Sequence, residues 1–123
     1  MESLIFHTTF LIDFQRERNG GGTGSAHDFL KENRECFALL PVVAYGEFCE
    51  GFDHPSDRAF LSLVESFEVL SVTPRVAELY AREVRRLRRL GKLIGTNDLW
   101  VAAIALEREL PLVTRNLDHF ARY

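Results

Sequence analysis

The residues of this sequence that are best suited to chemistry are polar groups placed where apolar runs end or helical patterns begin. Three carboxylates, an imidazole, an amide and a hydroxyl come from four separate parts of the chain. A parallel sheet would collect them, because ligands of such sheets bind beyond the carboxyl ends of the strands. The candidate site residues are His7, Thr8, Glu47, Asp98, Asn116 and Asp118.

Carboxylates that converge on one pocket repel each other, so the pocket gains stability when it binds a hard divalent cation. Mg²⁺ held in this way activates a water molecule and stabilises charge on a phosphodiester. Plainer explanations stand beside this one. Asp98 could complement a helix dipole, and Asn116 and Asp118 are turn-forming residue types. Glu47 lies among apolar residues, where a carboxylate needs a partner such as an arginine.

The elements that must position these residues alternate along the chain, with short apolar runs separated by amphipathic stretches. The runs predict strands over residues 4–6, 36–40, 67–72 and 110–114. Helices are predicted over 9–18, 25–33, 41–50, 57–65, 74–91 and 98–109, with a helical turn at 117–120. The predicted N-caps are Ser25, Ser56 and either Thr96 or Asn97, and Thr73-Pro74 is predicted to start the long helix that ends at Gly91.

Strands separated by helices predict an α/β fold with a parallel sheet that is covered on both faces. The strands are continuously apolar, as a doubly covered sheet requires.

The 123 residues carry a formal charge of -3, and 46% are hydrophobic, which fits one domain spanning 1–123 and excludes a disordered or fibrous chain. No run is long enough to cross a bilayer, and the N-terminus lacks the features of a signal peptide. With Cys36 and Cys49 expected as inert thiols, the sequence predicts a reduced, cytoplasmic, soluble protein.

Four segments resemble the PIN-domain family, and most closely its VapC-type toxins from bacterial toxin-antitoxin pairs. They read LIFHTTFLID at 4–13, PVVAYGEF at 41–48, LIGTNDLWVAAIAL at 93–106 and LVTRNLDHF at 112–120. The resemblance runs through nearly the whole chain in the right order. It implies a three-layer α/β/α sandwich around a central parallel sheet, and a metal-dependent endoribonuclease. It also implies a cognate VapB-type antitoxin, an RNA substrate and a homodimer.

The resemblance also implies roles for individual residues. Glu47 and Asp98 match the second and third acids of a site for Mg²⁺ or Mn²⁺. The fourth element falls on either Asn116 or Asp118, and both assignments stay open. Thr8 and Thr114 match hydroxyl residues that flank the acids and orient them or a water molecule.

The chain departs from the family pattern at position 7, where His7 stands in place of the first metal-binding aspartate. Imidazole suits Zn²⁺ and other transition metals far better than Mg²⁺. We therefore expect weak Mg²⁺ binding and weak or absent RNA cleavage. His7 is either a natural degeneration, which leaves a protein that only binds its antitoxin or RNA, or an inactivating substitution in a toxin. It could also be a buried, hydrogen-bonded histidine with no catalytic part.

A basic stripe lies between positions 75 and 92, which hold seven basic and two acidic residues, a local charge of +5. Arg75, Arg82, Arg86 and Arg89 share one helical face, and they would either be solvated or steer an RNA backbone towards Asp98. Glu83 falls on the opposite, apolar side of this helix, and the sequence does not account for it.

Three further features of the sequence bear on function. The segment NGGGTGS at 19–25 lacks the Lys-Ser/Thr ending of a phosphate loop and predicts a flexible connection. Asp13 lies within a helical pattern, which argues against a phosphoryl-accepting receiver domain. The ten phenylalanines suggest an exposed aromatic surface on the first helices for an antitoxin or a second copy, with core packing as the alternative.

Overall fold

The computed structural model describes residues 2–54 and 56–114. Four parallel strands form one sheet: β1 (Ser3–Phe6), β2 (Phe37–Pro41), β3 (Glu68–Leu70) and β4 (Leu112–Val113). Their order is β3-β2-β1-β4, so that β1 is central and pairs with both β2 and β4. The predicted α/β class and parallel sheet are confirmed. The helical turn predicted at 117–120 lies outside the described residues.

Six helices connect the described strands. The first two, α1 (Thr8–Asn19) and α2 (Ser25–Glu32), lie between β1 and β2. Next come α3 (Val42–Cys49) and α4 (Arg58–Val64), between β2 and β3. Between β3 and β4 lie α5 (Pro74–Leu90) and α6 (Thr96–Arg108).

Successive side chains of a strand point to opposite faces of the sheet, and here both faces are covered. Leu4 and Phe6 of β1 pack with residues of α1 and α2. Ile5 packs on the other face, in a cluster formed with α5 and α6. This arrangement explains why β1 is continuously apolar from Leu4 to Phe6 instead of alternating, and it forms three layers with the sheet in the middle.

Several helix starts differ from the sequence prediction. The N-cap of α2 is Gly24 instead of Ser25, and that of α4 is Asp57 instead of Ser56. Gly95, not Thr96 or Asn97, caps α6 and provides no side-chain hydrogen bond. Pro41 ends β2 and precedes α3 instead of forming its first turn. The predicted start of α5 at Thr73-Pro74 is confirmed, and the Thr73 hydroxyl caps the helix by accepting from the Val76 N–H at 3.2 Å.

The glycine-rich connection lets a residue of α1 cap α2. Gly24 has φ 146° and ψ -178°, a conformation that is open essentially only to glycine. The Glu17 carboxylate then accepts from the backbone N–H groups of Ala26 at 3.0 Å and His27 at 2.9 Å. Desolvation opposes ionisation of Glu17, but these bonds and the His27 side chain outweigh it and hold the pKa of Glu17 below its ordinary value.

The phenylalanines pack mainly inside the protein. Phe6 is fully buried, with ring-centroid distances of 4.8 Å to Phe10, 6.0 Å to Phe29 and 5.3 Å to Phe67. Among the described residues, Phe37 is the phenylalanine with a largely exposed side chain. The expectation of an aromatic surface on the first helices is therefore wrong, because the rings fill the space between the sheet and these helices.

Neither cysteine forms a disulfide, and both are partly buried. Among the described residues, no helix combines the length and the apolar character that a membrane crossing requires.

Candidate active site

The site forms at the carboxyl end of the central strand. β1 ends at Phe6 and α1 begins at Thr8, so His7 is the single residue between them and the N-cap of α1. The His7 N–H donates to the Val113 carbonyl at 3.0 Å, which continues the pairing with β4. His7 is only 3% exposed. Its imidazole is thus fixed where the ligand site of a parallel sheet is expected.

His7 contacts Asp98 directly. The distance from His7 Nε2 to Asp98 Oδ1 is 2.8 Å, and the Asp98 side chain is 14% exposed. Asp98 lies in the first turn of α6, where a carboxylate also interacts favourably with the positive end of the helix dipole. The fold therefore brings together two candidate residues that are 91 positions apart in the sequence.

The second ring nitrogen of His7 is also occupied. Nδ1 lies 3.2 Å from the Thr9 hydroxyl and 3.3 Å from the Thr114 hydroxyl, and these hydroxyls are 3.3 Å apart. Nδ1 also accepts from the Thr9 N–H at 3.5 Å. We infer that His7 is the tautomer with a proton on Nε2, which donates to Asp98. Both polar atoms of the imidazole are thereby satisfied within the protein.

Glu47 is held by a hydroxyl. Thr8, which is buried, donates from Oγ1 to Glu47 Oε1 at 2.9 Å. This bond joins the start of α1 to α3, and it gives the half-buried carboxylate the partner that its apolar surroundings require. The alternative of an ion pair between Glu47 and an arginine is not found in the described part of the chain.

Four of the predicted residues thus form two contact pairs at one edge of the sheet, His7 with Asp98 and Thr8 with Glu47. Thr114 joins this group through His7. Asn116 and Asp118 lie outside the described residues. Within ranges 2–54 and 56–114, no group of three or more His, Cys, Asp or Glu side chains is arranged to hold a metal ion.

The basic stripe on α5 is partly neutralised by Glu83. This carboxylate, only 6% exposed, accepts from Arg82 Nη2 at 2.9 Å and from Arg86 Nε at 2.6 Å. Burial acts to raise the pKa of Glu83, but the hydrogen bonds and charges of Arg86 and Arg82 outweigh it and lower the pKa. Arg75 lies 3.6 Å from Glu78. The ion pairs with Arg82 and Arg86 explain how Glu83 is accommodated on the apolar side of the helix.

Sequence reasoning missed Thr9 and the roles of two acids. Thr9 is the second threonine of the HTT segment, and its place beside a site residue was the available signal. Glu17 caps α2 although it belongs to α1. Glu83 pairs with Arg82 and Arg86, two of the arginines that the sequence offers for steering RNA. Neither role leaves a pattern in the sequence, because both depend on how helices pack.

Comparison with known proteins identifies the family. A model of the PIN domain matches residues 8–123. The chain belongs to the PIN-domain family. Ribonuclease VapC10 of Mycobacterium tuberculosis is 32% identical to this PIN domain over 103 residues, which cover 83% of the chain and 77% of the relative. Ribonuclease VapC1 of Methanocaldococcus jannaschii is 26% identical over 120 residues, which cover 97% of the chain and 79% of the relative.

Solved structures lead to the same family. VapBC-5 from Mycobacterium tuberculosis, a member of the VapBC family of toxin-antitoxin systems, contains a chain that is 25% identical to this PIN domain, with a TM-score of 0.68. The match covers 99% of this chain and 90% of that one. The resemblance to VapC-type PIN domains and the α/β/α sandwich that it implied are confirmed.

Proposed function

We propose that this PIN domain is an endoribonuclease toxin of the VapC type, and that its activity is weak or absent because His7 replaces an acid. The observation that carries the proposal is the meeting of His7, Asp98, Thr8 and Glu47 at the carboxyl end of the central strand. Relatives that align over most of the chain are named ribonucleases. The substrate class is RNA, and the reaction is hydrolysis of a phosphodiester.

The proposal includes a VapB-type antitoxin as partner, because VapBC-5, which this PIN domain resembles at 25% identity, is a member of a toxin-antitoxin family. A homodimer and a cytoplasmic location complete the proposal. Size-exclusion chromatography with light scattering of the purified chain tests the dimer. A monomer at micromolar concentration would contradict it.

The described residues do not fit Mg²⁺, which prefers oxygen ligands in octahedral geometry. His7 offers nitrogen in place of oxygen, and both of its ring nitrogens are bonded to protein groups. One oxygen of Asp98 is committed to His7 as well. We propose that the chain binds Mg²⁺ and Mn²⁺ poorly. Aspartate at position 7 would provide a site together with Glu47, Asp98 and either Asn116 or Asp118.

A second candidate function is a catalytically silent PIN domain that acts only by binding its antitoxin or RNA. The observation that favours it is the complete hydrogen bonding of the His7 ring. The two candidates differ in one property, because only a disabled enzyme recovers activity when the acid is restored.

The experiment compares cleavage of total tRNA and rRNA, with Mn²⁺ or Mg²⁺, by the chain as it stands and by His7→Asp. The control combines His7→Asp with Asp98→Asn, which keeps the new acid and removes the other. Cleavage by the single variant alone supports the disabled enzyme. Equal cleavage by the original chain refutes the role given to His7. No cleavage by any of the three favours the silent domain.

A further inference from the structure

Three arginines near the end of α5 differ from the other basic residues of that helix. Arg85, Arg88 and Arg89 are exposed, and no described acid lies within ion-pair distance of any of them. Arg75, Arg82 and Arg86 each contact one of the two glutamates of α5. The balance of charges therefore changes along the helix, from paired cations to a group of three without counter-charges.

The three arginines form one surface. Positions three and four apart are neighbours on a helix, so Arg88 and Arg89 both lie beside Arg85. Arg88 and Arg89 also fall in the last turn, where cations complement the helix dipole. The dipole does not account for Arg85, which lies a turn earlier. Three adjacent like charges also repel each other.

The packing of α5 against α6 sets how far this surface lies from Asp98 along the helix axes. Residues 91–95 connect the two helices, and so short a connection makes them antiparallel. Tyr80 stacks on Trp100, with centroids 3.8 Å apart. At about 1.5 Å per residue, Arg85 lies about 5 Å beyond Asp98 along the shared direction, and Arg89 about 10 Å beyond it. The arginine surface therefore extends outward from the end of the hairpin that carries Asp98.

We propose that Arg85, Arg88 and Arg89 bind consecutive phosphates of a single-stranded RNA whose adjoining segment lies at Asp98. The proposal rests on the proposed ribonuclease function and specifies how the substrate is held. Guanidinium groups make forked hydrogen bonds to phosphate, and a basic surface follows a single strand without regard to sequence. Two exposed leucines, Leu90 at 56% and Leu93 at 48%, continue the surface and offer apolar contact to bases.

The test measures binding of a labelled oligouridylate by the full chain at several salt concentrations. The variant Arg85→Gln, Arg88→Gln, Arg89→Gln removes three charges. For a single strand the slope of log K against log salt falls by about 0.7 per phosphate contact, so we expect a slope smaller by about 2 and binding at least about tenfold weaker at low salt. The matched control, Arg18→Gln, Arg34→Gln, Arg58→Gln, removes the same charge at exposed arginines elsewhere that also form no ion pair with a described acid.

Three outcomes overturn the proposal: no binding of oligouridylate by the original chain, an equal loss in the control, or an unchanged slope in the α5 variant. An unchanged slope together with weaker binding of an acidic peptide would assign the surface to a protein partner instead. Failure of the ribonuclease function is a separate result, seen as absent cleavage by His7→Asp while the arginine-dependent binding persists. If His7→Asp cleaves, the three substitutions should also lower its kcat/KM by about tenfold or more.

Discussion

Replacing His7 by aspartate should make the stability of the protein depend on divalent metal. The variant loses the bond between His7 Nε2 and Asp98 Oδ1, and hydrogen bonds to charged groups contribute about 1.5–3 kcal/mol. It also places a second carboxylate near Asp98. Two like charges 4 Å apart repel by about 4 kcal/mol at an effective dielectric constant of 20, and the shorter aspartate side chain lies farther away. Aspartate is still a good N-cap, so helix α1 should keep its start.

Without metal we therefore expect the free energy of unfolding of His7→Asp to fall by about 3–5 kcal/mol. Mn²⁺ at a concentration about a hundredfold above its Kd should raise the free energy of unfolding of His7→Asp by about 2.7 kcal/mol. The assay is urea unfolding with EDTA or with Mn²⁺, followed through the fluorescence of Trp100, the one tryptophan of the chain.

Two controls separate the effect of the added negative charge from the effect of losing the hydrogen bond to Asp98. His7→Asn loses the bond to Asp98 without adding a charge, so it should be destabilised by about 1.5–3 kcal/mol and should not respond to Mn²⁺. Adding Asp98→Asn to His7→Asp should abolish the response. The reasoning is refuted if Mn²⁺ stabilises the original chain as strongly as His7→Asp. It is equally refuted if His7→Asp in EDTA is no less stable than His7→Asn.

Three other substitutions test contacts elsewhere in the fold. Because the folded-state pKa of Glu83 is lowered, its contribution is present above the ordinary value of 4.5 and is lost as the pH falls through the lowered value. Glu83→Gln should therefore cost about 1–3 kcal/mol at neutral pH, and the difference from the original chain should shrink in acid unfolding titrations. Gly24→Ala should cost about 1–3 kcal/mol in urea unfolding, because φ 146° is strained for alanine and its Cβ would clash with Glu17; no loss would contradict this backbone assignment. Thr73→Ala removes the acceptor for the Val76 N–H and should cost about 1 kcal/mol by the same method, whereas Thr73→Ser should cost less.

Much of the fold could be predicted from local patterns. Three successive residues of β1, Leu4, Ile5 and Phe6, are apolar because both faces of the sheet are covered, and such a run is visible without the structure. The start of α5 was also predictable, since Thr73 and Pro74 form a cap with a proline in the first turn. Helices α2 and α6 gave misleading signals, because glycines occupy their N-cap positions and the polar residues that follow are already helical.

The candidate site was predictable in its members and not in its contacts. The resemblance to a family singled out His7, Glu47 and Asp98, each from a different segment. That His7 bonds to Asp98, and that Thr8 bonds to Glu47, follows from the packing of α1, α3 and α6. Glu83 illustrates the same limit, because the ion pairs with Arg82 and Arg86 that stabilise its buried carboxylate become visible only in the structure. Periodicity gives the face on which a residue lies but not the partner it finds there.

The long sequence separation within the site has a consequence for synthesis of the protein. Chains emerge from the ribosome N-terminus first, and domains fold as units. His7 is made before its partners Asp98 and Thr114, which lie 91 and 107 positions later. A ribosome-bound chain that ends before α6 therefore lacks the residues that complete the site. Until α6 and β4 have emerged from the ribosome, the His7 imidazole therefore lacks the contacts that hold it in the folded protein.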